Sequence, residues 1–150
     1  TIYEFIFGFR LQSSRKLRNH HSSRMLFVVL VIFLTLLVVP FKLWGINSIY
    51  TSFIACIGVT LFIVFLRHDL VKDALISGVL FALIMFFGYL IFFKLYPLAI
   101  ERWWLLDNMS GIFLMNIPLE EILLAFGWGL MIGPLYEFLV GLRLQHVVRN

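Results

Sequence analysis

The sequence predicts an all-α fold: a polytopic transmembrane helix bundle with four full spans, preceded by the C-terminal stub of an earlier one. Three observations predict it. Long apolar runs recur along the chain, basic residues cluster on one side of those runs, and a ten-residue motif occurs twice. Hydrophobic residues make up 62% of the 150 positions and charged residues 13%. A soluble domain carries roughly 45–50% and ~25%.

Taken in chain order, residues 1–12 read as the stub and residues 13–24 as a basic loop. The bundle then occupies 25–145, and 146–150 form a tail. Met25–Trp44 is twenty residues with a single charge, Lys42, while Ser48–Leu66 and Ala74–Phe93 carry none. About 20 apolar residues are needed to cross a ~30 Å hydrocarbon core as a helix, so each of these is a span. The fourth, Pro118–Leu142, holds Glu120, Glu121 and Glu137 around an uncharged run, Ile122–Tyr136. It crosses if the carboxylates sit near the interfaces or face the bundle interior. A secretory signal would be one short apolar stretch ahead of a soluble body, which is not this pattern. Cys56 lies within a span and reads as a small packing residue; a lone cysteine defines neither a disulfide framework nor a metal site.

Four spans place both flanks on one side of the membrane. That side has Arg10, Arg15, Lys16, Arg18, Arg24, Arg67, Lys72, Arg143 and Arg149, nine of the twelve basic residues; the other has Lys42, Lys94 and Arg102. The positive-inside rule puts the richer side in the cytoplasm, and the expected location is the cell's inner membrane. The charges lie on separate short loops, so no nucleic-acid surface is expected.

Tyr3-Glu4-Phe5-Ile6-Phe7-Gly8-Phe9-Arg10-Leu11-Gln12 matches Tyr136-Glu137-Phe138-Leu139-Val140-Gly141-Leu142-Arg143-Leu144-Gln145 at seven of ten positions, always 133 residues apart. Since the second copy ends the fourth span, the first reads as the last turns of an earlier one. The chain also opens on Thr, so a truncated first unit, or a partner subunit supplying it, is expected. Both copies emerge on the same side, as in a parallel repeat. The alternative is a helix-end signal used twice.

Chemistry concentrates at Asn116-Ile117-Pro118-Leu119-Glu120-Glu121. Pro118 suits a first helical turn, and the two acids suit the positive end of the macrodipole. Adjacent helical residues are about 100° apart, so the pair cannot share one narrow direction. Intramembrane acids usually line a cavity or relay, and a Glu kept protonated in an apolar pocket can protonate a hydrocarbon. Glu137 is about 24 Å along the axis from Glu121. It has a separate role, such as pairing with a loop Arg. Trp103 and Trp104 read as an interfacial aromatic belt or a substrate-stacking wall. Asp107, Asn108 and Ser110 cap a short helix or line a mouth. Gly129 and Gly133 form a small-xxx-small spacing, and Pro134 bends the helix. His20 and His21 have no further ligands nearby, so no metal is expected.

The stretch Trp103…Asn108-Met109-Ser110-Gly111-Ile112…Asn116-Ile117-Pro118-Leu119-Glu120-Glu121 resembles the lycopene cyclase domain family of small membrane carotenoid cyclases, which are often duplicated or split into two subunits. Its Pro-x-Glu-Glu motif is here Pro118, Glu120 and Glu121. The resemblance implies acid-initiated, redox-neutral cyclisation of a carotenoid or other isoprenoid end group without a cofactor. Glu120 or Glu121 is then the acid, with Pro118, Trp103, Trp104 and Asn108 as substrate contacts and membrane lipid around the bundle. The Gly-rich Phe126-Gly127-Trp128-Gly129 departs from the Phe-rich sequence that often follows the motif. A non-enzymatic lipid-binding or scaffolding protein on the same fold is the alternative. A glutamate-type intramembrane protease is disfavoured, because position 125 is Ala where that class has Arg.

Overall fold

The computed structural model describes residues 9–13, 21–104, 109–140 and 142–146. Four long helices dominate it: α1 (His21–Trp44), α2 (Ser48–Leu66), α3 (Val71–Leu95) and, after the short α4 (Ala99–Trp103), α5 (Leu119–Val140). Each of the four is long and apolar enough to cross a bilayer. The chain is a multi-pass membrane protein.

Their bounds differ from the sequence reading mainly at the ends. α1 starts at His21, four residues before Met25, and α5 runs from Leu119 to Val140. α3 starts at Val71, three residues before Ala74, and so takes in Lys72 and Asp73. Asp73 sits in the first turn of α3 and is buried; an acid is favourable there because the first backbone N–H groups are unpaired.

Tight connections make sequential helices antiparallel neighbours. Gly45 ends α1 with a left-handed φ of 63°, a conformation that costs glycine little. Two residues later Asn47 caps α2, its side-chain oxygen accepting from the Ile49 N–H at 3.1 Å. A 3-10 turn, His68–Leu70, joins α2 to α3.

α5 is the central helix, packed against α3 on one side and α2 on another, while α1 leans mainly on α2. Its glycines set those distances. A Cβ on Gly127 would stand 2.9 Å from the Phe53 ring of α2, and one on Gly129 would stand 2.6 Å from the Ser77 carbonyl oxygen of α3. Gly133 faces Ser77 as well, so the small-xxx-small spacing lies in the α3–α5 contact. Pro134 lies inside α5 and is buried. Val29, Cys56, Val59, Ile63, Leu70 and Met131 form the core cluster. The outward faces of α1 and α3 remain apolar, with Phe27, Leu34, Ile84, Phe87 and Ile91 exposed. Acyl chains cover such faces at no cost; water does not.

The described residues also form two short antiparallel ladders. Of the helical stub expected at residues 1–12, the described part is extended. β1 (Phe9–Ser13) pairs with β4 (Leu142–His146), with Leu11 opposite Leu144. The alternation of apolar and polar residues in Leu142-Arg143-Leu144-Gln145 has the period of a strand. The second ladder, β2 (Phe113–Leu114) with β3 (Ile117–Pro118), leads directly into α5.

Candidate functional site

The β2–β3 hairpin sets the position of the two glutamates. Its two-residue turn, Met115-Asn116, has φ of 52° and 65°, the pattern of a type I′ turn. Leu114 pairs with Ile117 and Phe113 with Pro118, and the Leu119 N–H then donates to the Ile112 carbonyl at 3.0 Å. Hydrogen-bonded and non-bonded pairs alternate in such a ladder, so Pro118 occupies a place where its missing N–H is not needed. This corrects the sequence reading. Pro118 is not in the first helical turn but is the last strand residue, buried, and α5 begins after it.

From there Glu120 and Glu121 diverge as the helical angle requires. Glu120 is buried and faces α2: the Tyr50 hydroxyl donates to its Oε1 at 3.1 Å. The Ser110 N–H donates to the same oxygen at 2.6 Å, which ties the loop before β2 to the top of α5. Glu120 Oε2 is buried without a partner among the described residues. Glu121 faces α3 instead. The Tyr89 hydroxyl donates to its Oε2 and the Trp104 indole N–H to its Oε1, both at 2.7 Å. Glu120 is buried and Glu121 half-buried.

An aromatic group backs Glu121. Trp104 meets Phe93 at 5.6 Å between centroids and Tyr89 at 6.3 Å, while Trp103 packs on Phe92 at 5.7 Å. Tyr89 and Phe93 stack with an interplanar angle of 14°. Trp104 is half-buried and Trp103 exposed. Beside them opens a pocket of about 590 Å³, lined by Phe41 of α1, by the stretch from Gly45 to Ile49, by Trp103, Trp104 and Met109, and by Glu121. Glu120 does not line it. This volume lies within the usual range of small-molecule sites.

The structure therefore brings together Glu121, Trp103 and Trp104, sets Glu120 behind them and leaves Pro118 in the hairpin. Asn108 lies outside the described residues. Sequence reasoning missed Tyr50 and Tyr89, each inside an apolar run where tyrosine reads as one more aromatic. It also missed the Asn47 turn as a pocket wall. The available signal was weak: a phenol within a span needs a hydrogen-bond partner, and the two glutamates were only two of several acceptors the sequence offered.

Glu137 lies at the opposite end of α5, buried, with its backbone carbonyl accepting from Arg67 Nη1 at 3.2 Å. Arg67 also pairs with Asp69. The loop arginine expected beside Glu137 is thus present, bound to its carbonyl. Between α3 and α5 at that end runs a mostly apolar groove of about 370 Å³ that Asp73 and Glu137 line.

The family model described as lycopene cyclase matches residues 47–139, more than half of the chain. The matched stretch contains both glutamates, both tyrosines and both tryptophans of the site. No curated protein and no solved structure matches the chain.

Proposed function

We propose, for a chain that belongs to the lycopene cyclase family, that Glu121 is the acid that starts cyclisation of a linear carotenoid or another isoprenoid end group. The observation that carries this reading is its place. Glu121 alone of the pair lines the pocket, and two donors at 2.7 Å fix both its oxygens.

The donors differ chemically. An indole N–H can only donate, so Oε1 stays an acceptor, whereas a phenol can either donate or accept. When Glu121 is protonated, the proton therefore belongs on Oε2, with Tyr89 turning its hydroxyl to receive it or releasing it to the substrate. The carboxyl O–H breaks as its proton adds to the less substituted carbon of the terminal alkene, leaving a tertiary cation. The neighbouring alkene attacks that cation, the ring C–C bond forms and the charge moves into the ring. Loss of a ring proton to the Glu121 carboxylate then restores the alkene and the acid. Atoms and electrons balance without an oxidant or cofactor, so the reaction is an isomerisation. Trp103 and Trp104 line the same pocket, and an indole face turned to the passing cation would stabilise it through its quadrupole.

Glu120 has a different task in this reading. By accepting from Tyr50 and Ser110 it holds the loop that closes the pocket at Met109. The charge asymmetry supports basic loops in the cytoplasm and the site at the outer end of the bundle, in the cell's inner membrane. The repeated motif supports a related first unit, on the same chain or on a partner subunit. Expression of the full-length gene in lycopene-producing cells tests the function. Cyclic carotenoid in the pigment extract is expected; unchanged lycopene at normal protein level would overturn it.

A further inference from the structure

The β1–β4 ladder has a symmetry that its two sequences share. Partners in the ladder run Phe9–His146, Arg10–Gln145, Leu11–Leu144, Gln12–Arg143 and Ser13–Leu142. The central pair, Leu11 with Leu144, is also separated by the repeat offset of 133, so each copy's Leu faces its own counterpart. Arg10 is then in register with Gln145 and Gln12 with Arg143. Arg-Leu-Gln, laid antiparallel against Arg-Leu-Gln in this register, always sets Arg opposite Gln. No register position then sets Arg against Arg, which in a ladder would be destabilising.

We infer that β4 is a self-complementary docking edge, and that the β4 of a second copy of this chain fits where β1 lies. In a β4–β4 ladder centred on Leu144, the pairs are Leu142–His146, Arg143–Gln145, Leu144–Leu144, Gln145–Arg143 and His146–Leu142. The three central pairs are the same as those in β1–β4; only the two end pairs change, from Phe–His and Ser–Leu to Leu–His. A strand edge whose native partner is nearly its own sequence exchanges that partner for another copy, the route by which strand swapping produces two-fold dimers. β1 is thus the intrachain competitor that keeps the edge covered, and two-fold pairing follows when β1 is displaced.

Cysteine cross-linking of the full chain in detergent, in a Cys56→Ser background, tests this. Leu11→Cys with Leu144→Cys should join within one chain through a short bismaleimide, and absence of that product would overturn the register. Leu144→Cys alone should give little dimer. Adding Gln12→Arg sets Arg opposite Arg143 in β1–β4 and leaves β4 untouched. The Leu144–Leu144 dimer should then rise roughly tenfold, the change that about 1.4 kcal/mol of lost intrachain pairing produces. A second variant, Arg10→Pro with Leu11→Pro, removes a ladder N–H whichever of the two faces β4, because successive residues alternate; it should raise the dimer at least as much. An intrachain cross-link at Leu11–Leu144 with no rise in dimer from either variant would overturn the self-complementary edge.

Discussion

Gly129→Ala places a methyl group where α3 and α5 touch most closely. The new Cβ would stand 2.6 Å from the Ser77 carbonyl oxygen, 2.7 Å from Phe81 Cβ and 2.8 Å from Gly78 Cα. Ordinary contacts between such atoms are about 3.5–4.0 Å, so α3 must retreat by about 1 Å. No rotamer relieves the clash, because all three atoms belong to the backbone or to its first carbon. Overpacking of this kind costs about 1–3 kcal/mol, and the upper end applies to a contact with backbone. Replacing glycine by alanine inside a helix returns about 1 kcal/mol. The net loss is about 2 kcal/mol, or roughly 4–8 °C in Tm for a chain of this size. Gly88→Ala, also on α3, is the matched control: nothing lies within 4 Å of its Cβ, so only the helical gain remains. Thermal unfolding in one detergent should therefore rank Gly88→Ala at or above wild type and Gly129→Ala clearly below. Equal Tm values for the two variants would refute the packing argument. The same retreat, carried along α3 to Tyr89, lengthens its 2.7 Å bond to Glu121 to about 3.7 Å, beyond hydrogen-bond range. Gly129→Ala should therefore lose cyclisation as well as stability.

Other outcomes follow from the same geometry. Tyr89→Phe removes the hydroxyl that fixes Glu121 Oε2; between neutral partners a hydrogen bond contributes about 0.5–1.5 kcal/mol, so cyclisation, which starts from the protonated acid, should fall about 2–10-fold at normal protein level. Wild-type pigment yield from Tyr89→Phe would show that the phenol does not hold the acid. Met115→Gly relieves a side chain held at φ 52°, where a non-glycine residue bears about 1–2 kcal/mol. Its Tm should rise by a few degrees, and a fall would contradict the type I′ turn. Turnover in D2O should place one deuterium in each ring formed, because the added proton comes from an exchangeable carboxyl. Because Glu121 also takes back a ring proton in each cycle, unlabelled product would contradict a carboxyl that exchanges with solvent between turnovers.

The spans were legible because crossing a membrane demands length and apolarity, and both are sums over a window that local errors do not spoil. Glu120 and Glu121 were legible because two acids at the head of an apolar run are costly without a reason. Their separate surroundings were not. The angle between adjacent helical residues implied divergence, but Tyr50 and Tyr89 stand 70 and 32 residues away in the chain, and only packing brings them in. The hairpin before α5 was hidden for a different reason. Met115-Asn116 lacks the Asn-Gly signature of a type I′ turn, and Pro118 suited a helix start equally well. The repeated motif was visible by identity alone. Its two ends pair as strands, which no single copy's pattern reveals.

The division of labour between adjacent acids is the central claim, and pigment analysis of two variants in lycopene-producing cells tests it most directly. Glu121→Gln keeps the size of the side chain and removes its transferable proton, so cyclic carotenoid should drop by at least about 10²-fold, the usual contribution of a general acid. Glu120→Gln keeps an amide oxygen to accept from Tyr50 and Ser110, so most of the product should remain. Cyclisation that survives in Glu121→Gln and disappears in Glu120→Gln would contradict the assignment.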